Sequence, residues 1–220
     1  MFLGHYGVAL GAKKAAPKTS LGTLLLAAQF ADLLWPILLL VGVEHVRIAP
    51  GIPGSLDFID YPISHSLAAL LGWALLIGAL YRGIRRYIRG AWVLAAAVIS
   101  HWVLDFIVHR PDLPLIPGGT ARLGLGLWNS LPATLLVELG LFAMGIVLYA
   151  GSTVARDTVG RYAFWAFVVM LFVLYLAATF GPPPPNTTTL AATGLGGWLL
   201  VLWAYWIDRH REVAPRTPAA

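Results

Sequence analysis

His101, Asp105 and His109 stand four residues apart in the segment SHWVLDFIVH. A helix turns about 100° per residue, so this spacing sets all three on one narrow face. Imidazoles and a carboxylate on one face are what a zinc ion takes as ligands. The chain has no cysteine, so a transition metal must be held by His, Asp or Glu. The stripe also lies in a long apolar run. An Asp at the centre of a membrane helix costs roughly 2.5–3.5 kcal/mol on the insertion scale. A chain that keeps such groups there has a use for them.

Other titratable residues reach similar depth. Asp32 lies about eleven residues into the first apolar segment, roughly 16 Å deep. His101 lies about ten residues into the third, and both are expected near the bilayer midplane. His5 sits roughly 12 Å deep if the N-terminal stretch enters as a helix from Lys13. His65 opens the second segment and joins them only if the loop before it descends into the bundle. Asp60 and Glu138 are the acids placed to act as a general base if geometry allows, and His109 stands near the interface. Each residue alone has a structural explanation: a hydrogen-bonded histidine, a backbone-bonded Asp32, a His65 that caps a helix start beside Ser64 and Ser66. Asp32, His101 and Asp105 together do not, because separate polar burials in hydrocarbon each carry a cost.

The elements that must position these residues are membrane helices. The 220 residues are 59% hydrophobic and 11% charged, against about 25% charged in soluble domains. The chain reads as one all-α integral membrane domain over 1–220, with about six spans at 20–43, 65–81, 91–108, 131–150, 162–180 and 190–207. The stretch MFLGHYGVALGA is too short to cross and is expected as a re-entrant or interfacial helix. With six spans, Arg47, Arg110 and Arg122 fall on one side and the other Lys and Arg residues, including Arg216, on the opposite side. The positive-inside rule then puts both termini in the cytoplasm. The net charge of +5 reports topology, and nucleic acid is not an expected partner. Membrane lipids are.

The order His5, Asp32, His65-Ser66 and His101-x-x-x-Asp105 resembles the predicted membrane-bound metal-dependent hydrolases, inner-membrane proteins of bacteria and archaea. The resemblance covers roughly residues 1–110. It also looks like a distant echo of the zinc-dependent phospholipase C and P1-type nuclease group. That likeness implies one zinc on Asp32, His65, His101 and Asp105, a second on Asp105 and His5, and a looser place for His109. Here the acidic element reads QFADLLWP with Asp32 alone, and Asp60 stands where family members often have another His.

The resulting expectation is a zinc-dependent hydrolase of a phosphoester or lipid, with one or two ions. Two other classes use the same residues. Intramembrane Asp and His build proton relays and cation sites in small transporters. A polar cluster can also simply hold a bundle together, although such contacts contribute only about 0.6 kcal/mol each. No G-x-S-x-G elbow supports a serine hydrolase.

Overall fold

The computed structural model describes residues 1–215. In chain order the helices are α1 (Leu3–Ala15), α2 (Leu21–Ala28), α3 (Phe30–Leu40), α4 (Leu67–Arg85), α5 (Ile88–Val108), α6 (Leu131–Ser152), α7 (Thr158–Phe180), α8 (Thr187–Gly194) and α9 (Gly197–Arg209). Short antiparallel pairs join β1 (His45–Ile48) to β2 (Leu56–Asp60), β3 (Leu113–Pro114) to β4 (Arg122–Leu123), and β5 (Thr153–Ala155) to β6 (Arg211–Val213). The first two pairs lie at one end of the bundle, the hairpin end. The third lies at the opposite, basic end, where α4 and α9 finish and α5 and α7 begin.

Local chemistry sets the helix limits. Ser66 caps α4 by accepting from the Ala69 N–H, and Asp157 caps α7 by accepting from the Gly160 N–H. Arg86 closes α4 in the left-handed conformation, with φ of 50°. Pro132 falls in the first turn of α6, where its missing N–H is harmless.

The fold is an all-α membrane bundle. Five helical stretches are long and apolar enough to cross: α4, α5, α6, α7, and α8 with α9 as Thr187–Arg209. Counted as one broken span, the bent pair α2 and α3 brings the number among the described residues to six. The expected straight span over 20–43 is therefore corrected. It breaks at Gln29 with a 59° bend, and its second half carries Pro36. One core joins the bundle, built on Leu10, Leu24, Leu94, Phe167 and Ile207. Leu75, Leu136 and Val147 project outward, as lipid-facing side chains do.

α1 has 13 residues, about 20 Å of helix, and cannot cross a core of about 30 Å. It enters the bundle and buries almost every face. Its approach to α6 is close: a Cβ on Gly7 would lie 2.5 Å from the Leu141 carbonyl oxygen, and one on Gly145 2.3 Å from the Gly7 oxygen. Small residues at such crossings let backbones approach in membranes. The far end of α1 is tied down by Lys13, which pairs with Asp208 at 2.8 Å and donates to the Thr19 carbonyl at 2.9 Å. Of the basic residues assigned to one side, Arg216 lies outside the described residues.

Candidate metal centre

α5 carries the cluster. It begins at Ile88, earlier than the expected 91, and ends at Val108. His101 is thus about 10 Å and Asp105 about 4.5 Å from its hairpin end along the axis. The site thus lies in the half of α5 nearer the hairpin end, a shift from the middle of the helix. This shift lets His65, one residue before the Ser66 cap of α4, reach it without a long descending loop.

Five residues converge. His5 Nε2 lies 3.1 Å from Asp105 Oδ1. His101 Nε2 lies 3.2 Å from Asp105 Oδ2, and His65 Nε2 lies 3.8 Å from the same oxygen. Asp32 Oδ1 lies 3.4 Å from His65 Nε2 and 3.7 Å from His101 Nε2. The two Asp105 oxygens therefore face different partners. Two sets of donor atoms fall within 4.8 Å of one another: His5, His101 and Asp105, and Asp32, His65 and His101. His5, His65, His101 and Asp105 are buried, whereas the Asp32 side chain is 40% exposed and forms the open edge.

Two of the three imidazoles, His101 and His65, are oriented from behind, whereas His5 Nδ1 is buried without a partner. His101 Nδ1 donates to the Ala28 carbonyl at 2.8 Å. That carbonyl is free because α2 ends at Ala28, and a helix terminus leaves its last carbonyls unpaired. The break at Gln29 thus supplies a partner that a straight helix would have consumed. His65 Nδ1 contacts Ser64 Oγ at 2.7 Å, and Ser64 Oγ donates to Glu44 Oε2 at 2.5 Å. Since the Ser64 proton goes to the carboxylate, His65 Nδ1 must be the donor to Ser64. Glu44 is itself fixed by the backbone N–H groups of Ile63 and Ser64 at 2.7 and 2.9 Å. In both rings Nδ1 carries a proton, so in the neutral ring the inward-facing Nε2 is the atom with a lone pair to offer.

These are the donors a divalent metal requires, with the outer hydrogen bonds that orient ligating histidines. His101 Nε2 is buried with no hydrogen-bond partner, and a metal ligand has that environment. The residues present fit a metal.

No family model, curated protein or solved structure matches this chain. The site is therefore read on its own chemistry.

The remaining sequence candidates lie outside the cluster. Asp60 is in β2, paired with His45 at 2.7 Å, and half exposed. The hairpin register places it there, opposite His45. Glu138 accepts from the Phe2 and Gly4 N–H groups at 2.9 and 3.4 Å and so holds the start of α1. His109 ends α5 and leaves the stripe because its backbone turns extended, with ψ of 150°. Its Nδ1 bonds Asp112 at 2.9 Å, and its ring packs against Trp128, Phe58 and Tyr61. Burial holds the His109 imidazole below its ordinary pKa, with the Asp112 bond acting in the opposite sense. Burial, reinforced by Asp112 and Asp105, pushes the Tyr61 phenol up. Both rings are neutral walls at neutral pH.

Sequence reasoning gave neither Glu44 nor Ser64 a positioning role. No local pattern marks either, because Glu44 and Ser64 are 20 residues apart. The Met1 α-amino group forms an ion pair with Asp105.

Proposed function

We propose that this protein is a membrane-embedded, zinc-dependent hydrolase acting on a phosphoester, a lipid being the favoured substrate. The observation that carries this reading is the pair of imidazoles, His65 and His101, whose Nε2 atoms face Asp32 and Asp105 while hydrogen bonds fix each Nδ1. Asp32, His65, His101 and Asp105 would hold one ion, and His5 with the other oxygen of Asp105 would hold a second once the Met1 ammonium gives up that oxygen. A bound zinc lowers the pKa of water toward about 7 and neutralises charge on a phosphoryl group.

The chain's own residues supply the rest. Asp105 stands between His5 on one carboxylate oxygen and His65 with His101 on the other, and His101 is the member that both donor groups share. Asp32, as the open edge, marks where substrate arrives, and exposed Ile37 and Leu40 follow it on α3. An apolar approach beside a polar centre suits a substrate that is already in the bilayer. The resemblance to membrane-bound metal-dependent hydrolases points the same way, and with it goes the proposal of a prokaryotic inner-membrane location with the hairpin end outward.

Elemental analysis of the purified protein beside Asp105→Asn tests this, with hydrolysis of a short-chain phosphodiester lipid as the second readout. The wild type should carry stoichiometric zinc and the variant should lose both zinc and hydrolysis. Unchanged zinc and activity in Asp105→Asn would overturn the reading.

The break at Gln29 favours a second reading, an ion pathway, since discontinuous helices form the ion sites of transporters. Proton or metal-ion flux in proteoliposomes without hydrolysis would select it.

A further inference from the structure

A cavity of about 470 Å³ lies away from the His/Asp cluster, at the basic end. Three elements far apart in sequence meet around it: the turn from α1 to α2, the C-terminus of α4 and the C-terminus of α9. They contribute Lys18, Arg85 and Arg209, three cations with no acidic partner within ion-pair distance among the described residues. Asp208 also borders the cavity, but Lys13 engages its carboxylate, so the local balance stays positive.

The lining is built for an anion with oxygen atoms. Ser20 Oγ and Thr23 Oγ1 lie 2.7 Å apart, and Thr23 Oγ1 and the Tyr205 hydroxyl 2.9 Å apart. These hydroxyls line the same cavity as the cations. A second hollow of about 240 Å³ shares Lys18, Tyr81, Ile84 and Arg85 and extends to Tyr87. The outer side is apolar: Leu76, Leu80 and Ile84 are exposed at four-residue steps on α4 and form a ridge that ends at the cavity.

Basic residues at a membrane edge ordinarily serve topology, and exposed Arg82, Arg86 and Arg89 need no more explanation. Lys18, Arg85 and Arg209 differ because the tertiary fold turns them into one concavity. We propose that this cavity binds the phosphate head of an anionic phospholipid, with its acyl chains lying along the Leu76–Leu80–Ile84 ridge. The phosphate matches the cations, and arginine forks suit its oxygens. A free phosphate offers the same charge but makes no use of the ridge. Basic pockets between membrane helices recognise lipid head groups in this way. The proposal does not depend on the metal centre.

Native mass spectrometry of the full chain with phosphatidylglycerol or phosphatidylcholine provides the test. The wild type should retain phosphatidylglycerol in preference to phosphatidylcholine. Each cation near a lipid surface is worth about fivefold in affinity, so Arg85→Gln with Arg209→Gln should weaken retention roughly 25-fold. Lys14→Gln, an exposed cation at the same end that does not line the cavity, should leave it unchanged. Circular dichroism and the thermal midpoint serve as the fold check, with Lys18→Gln and an expected fivefold loss as the milder variant if the double one fails that check. Wild-type retention by the pocket variants, or equal loss in Lys14→Gln, would overturn the proposal. Displacement of the lipid by inorganic phosphate at equal concentration would also overturn it, in favour of a free-anion site.

Discussion

The imidazoles of His5 and His101 lie face to face, centroids 3.8 Å apart and planes within 4°. One comes from the short helix α1 and the other from the spanning helix α5. Two charged rings would repel in this arrangement, whereas neutral rings stack, and neutral imidazole is the form that binds metal. Asp105 meets the edges of both rings, one oxygen each.

The two histidines should therefore behave differently on substitution. His101 belongs to both donor groups and His5 to one. His101→Ala should abolish zinc binding, while His5→Ala should keep one ion on Asp32, His65, His101 and Asp105. Zinc titration against a competing chelator reads this directly. Full zinc content in His101→Ala would contradict the arrangement.

Glu44 should govern the affinity of a site it does not touch. Its carboxylate takes the Ser64 proton, which leaves Ser64 to accept from His65 Nδ1. In Glu44→Gln the amide N–H₂ can donate to Ser64 and free its hydroxyl to donate to His65. That would move the imidazole proton to Nε2 and block it as a ligand. Loss of such an outer partner typically weakens metal binding about 10–100-fold. Ser64→Ala should fall in the same range, and unchanged zinc affinity in both variants would count against the relay.

Glu138 separates two roles. Holding the Phe2 and Gly4 N–H groups requires only an acceptor oxygen, whereas a general base requires a carboxylate. Glu138→Gln should therefore keep hydrolysis near the wild-type level. Glu138→Ala leaves buried donors unpaired, at about 1–3 kcal/mol, and should lower the thermal midpoint. Abolished activity in a folded, zinc-loaded Glu138→Gln would restore the general-base role.

Asp157 gives the basic end a dependence on pH. The hydrogen bond from His210 at 2.7 Å, followed by the Gly160 N–H, holds its carboxyl below the usual range. A carboxylate with a lowered folded pKa adds stability above its unfolded value, about 3.9, and loses it as pH falls through the folded value. Asp157→Asn should therefore lower the thermal midpoint modestly at pH 6. The gap from wild type should shrink as pH falls below 4. Scans at pH 6 and pH 3 check the sign.

Much of the fold was legible because its signals are local. Apolar runs of membrane length marked α4 to α7, and Pro132 and Ser66 marked helix starts. The 59° break at Gln29 was not, since FADLLWP has the hydropathy of a continuous helix. The bend depends on what α3 meets, including Pro36 against Gly194 of α8. The site was legible as a set of residue types and unreadable as a geometry. His109 has the same four-residue step as its neighbours, yet α5 ends one residue before it.

By itself the sequence determined the class of the molecule and the chemistry available to it. Hydropathy decides that the chain belongs in a bilayer, and the absence of cysteine leaves His and Asp as the transition-metal donors. The i, i+4 step decides that His101 and Asp105 share a face. Tertiary structure alone decided which residues complete that face. It turned Asp105 between His5 and His101, brought Glu44 behind His65, and gathered Lys18, Arg85 and Arg209 around one cavity. Each of these joins groups from different elements. Their positions depend on how helices pack and where they break, which no periodicity within a single helix records.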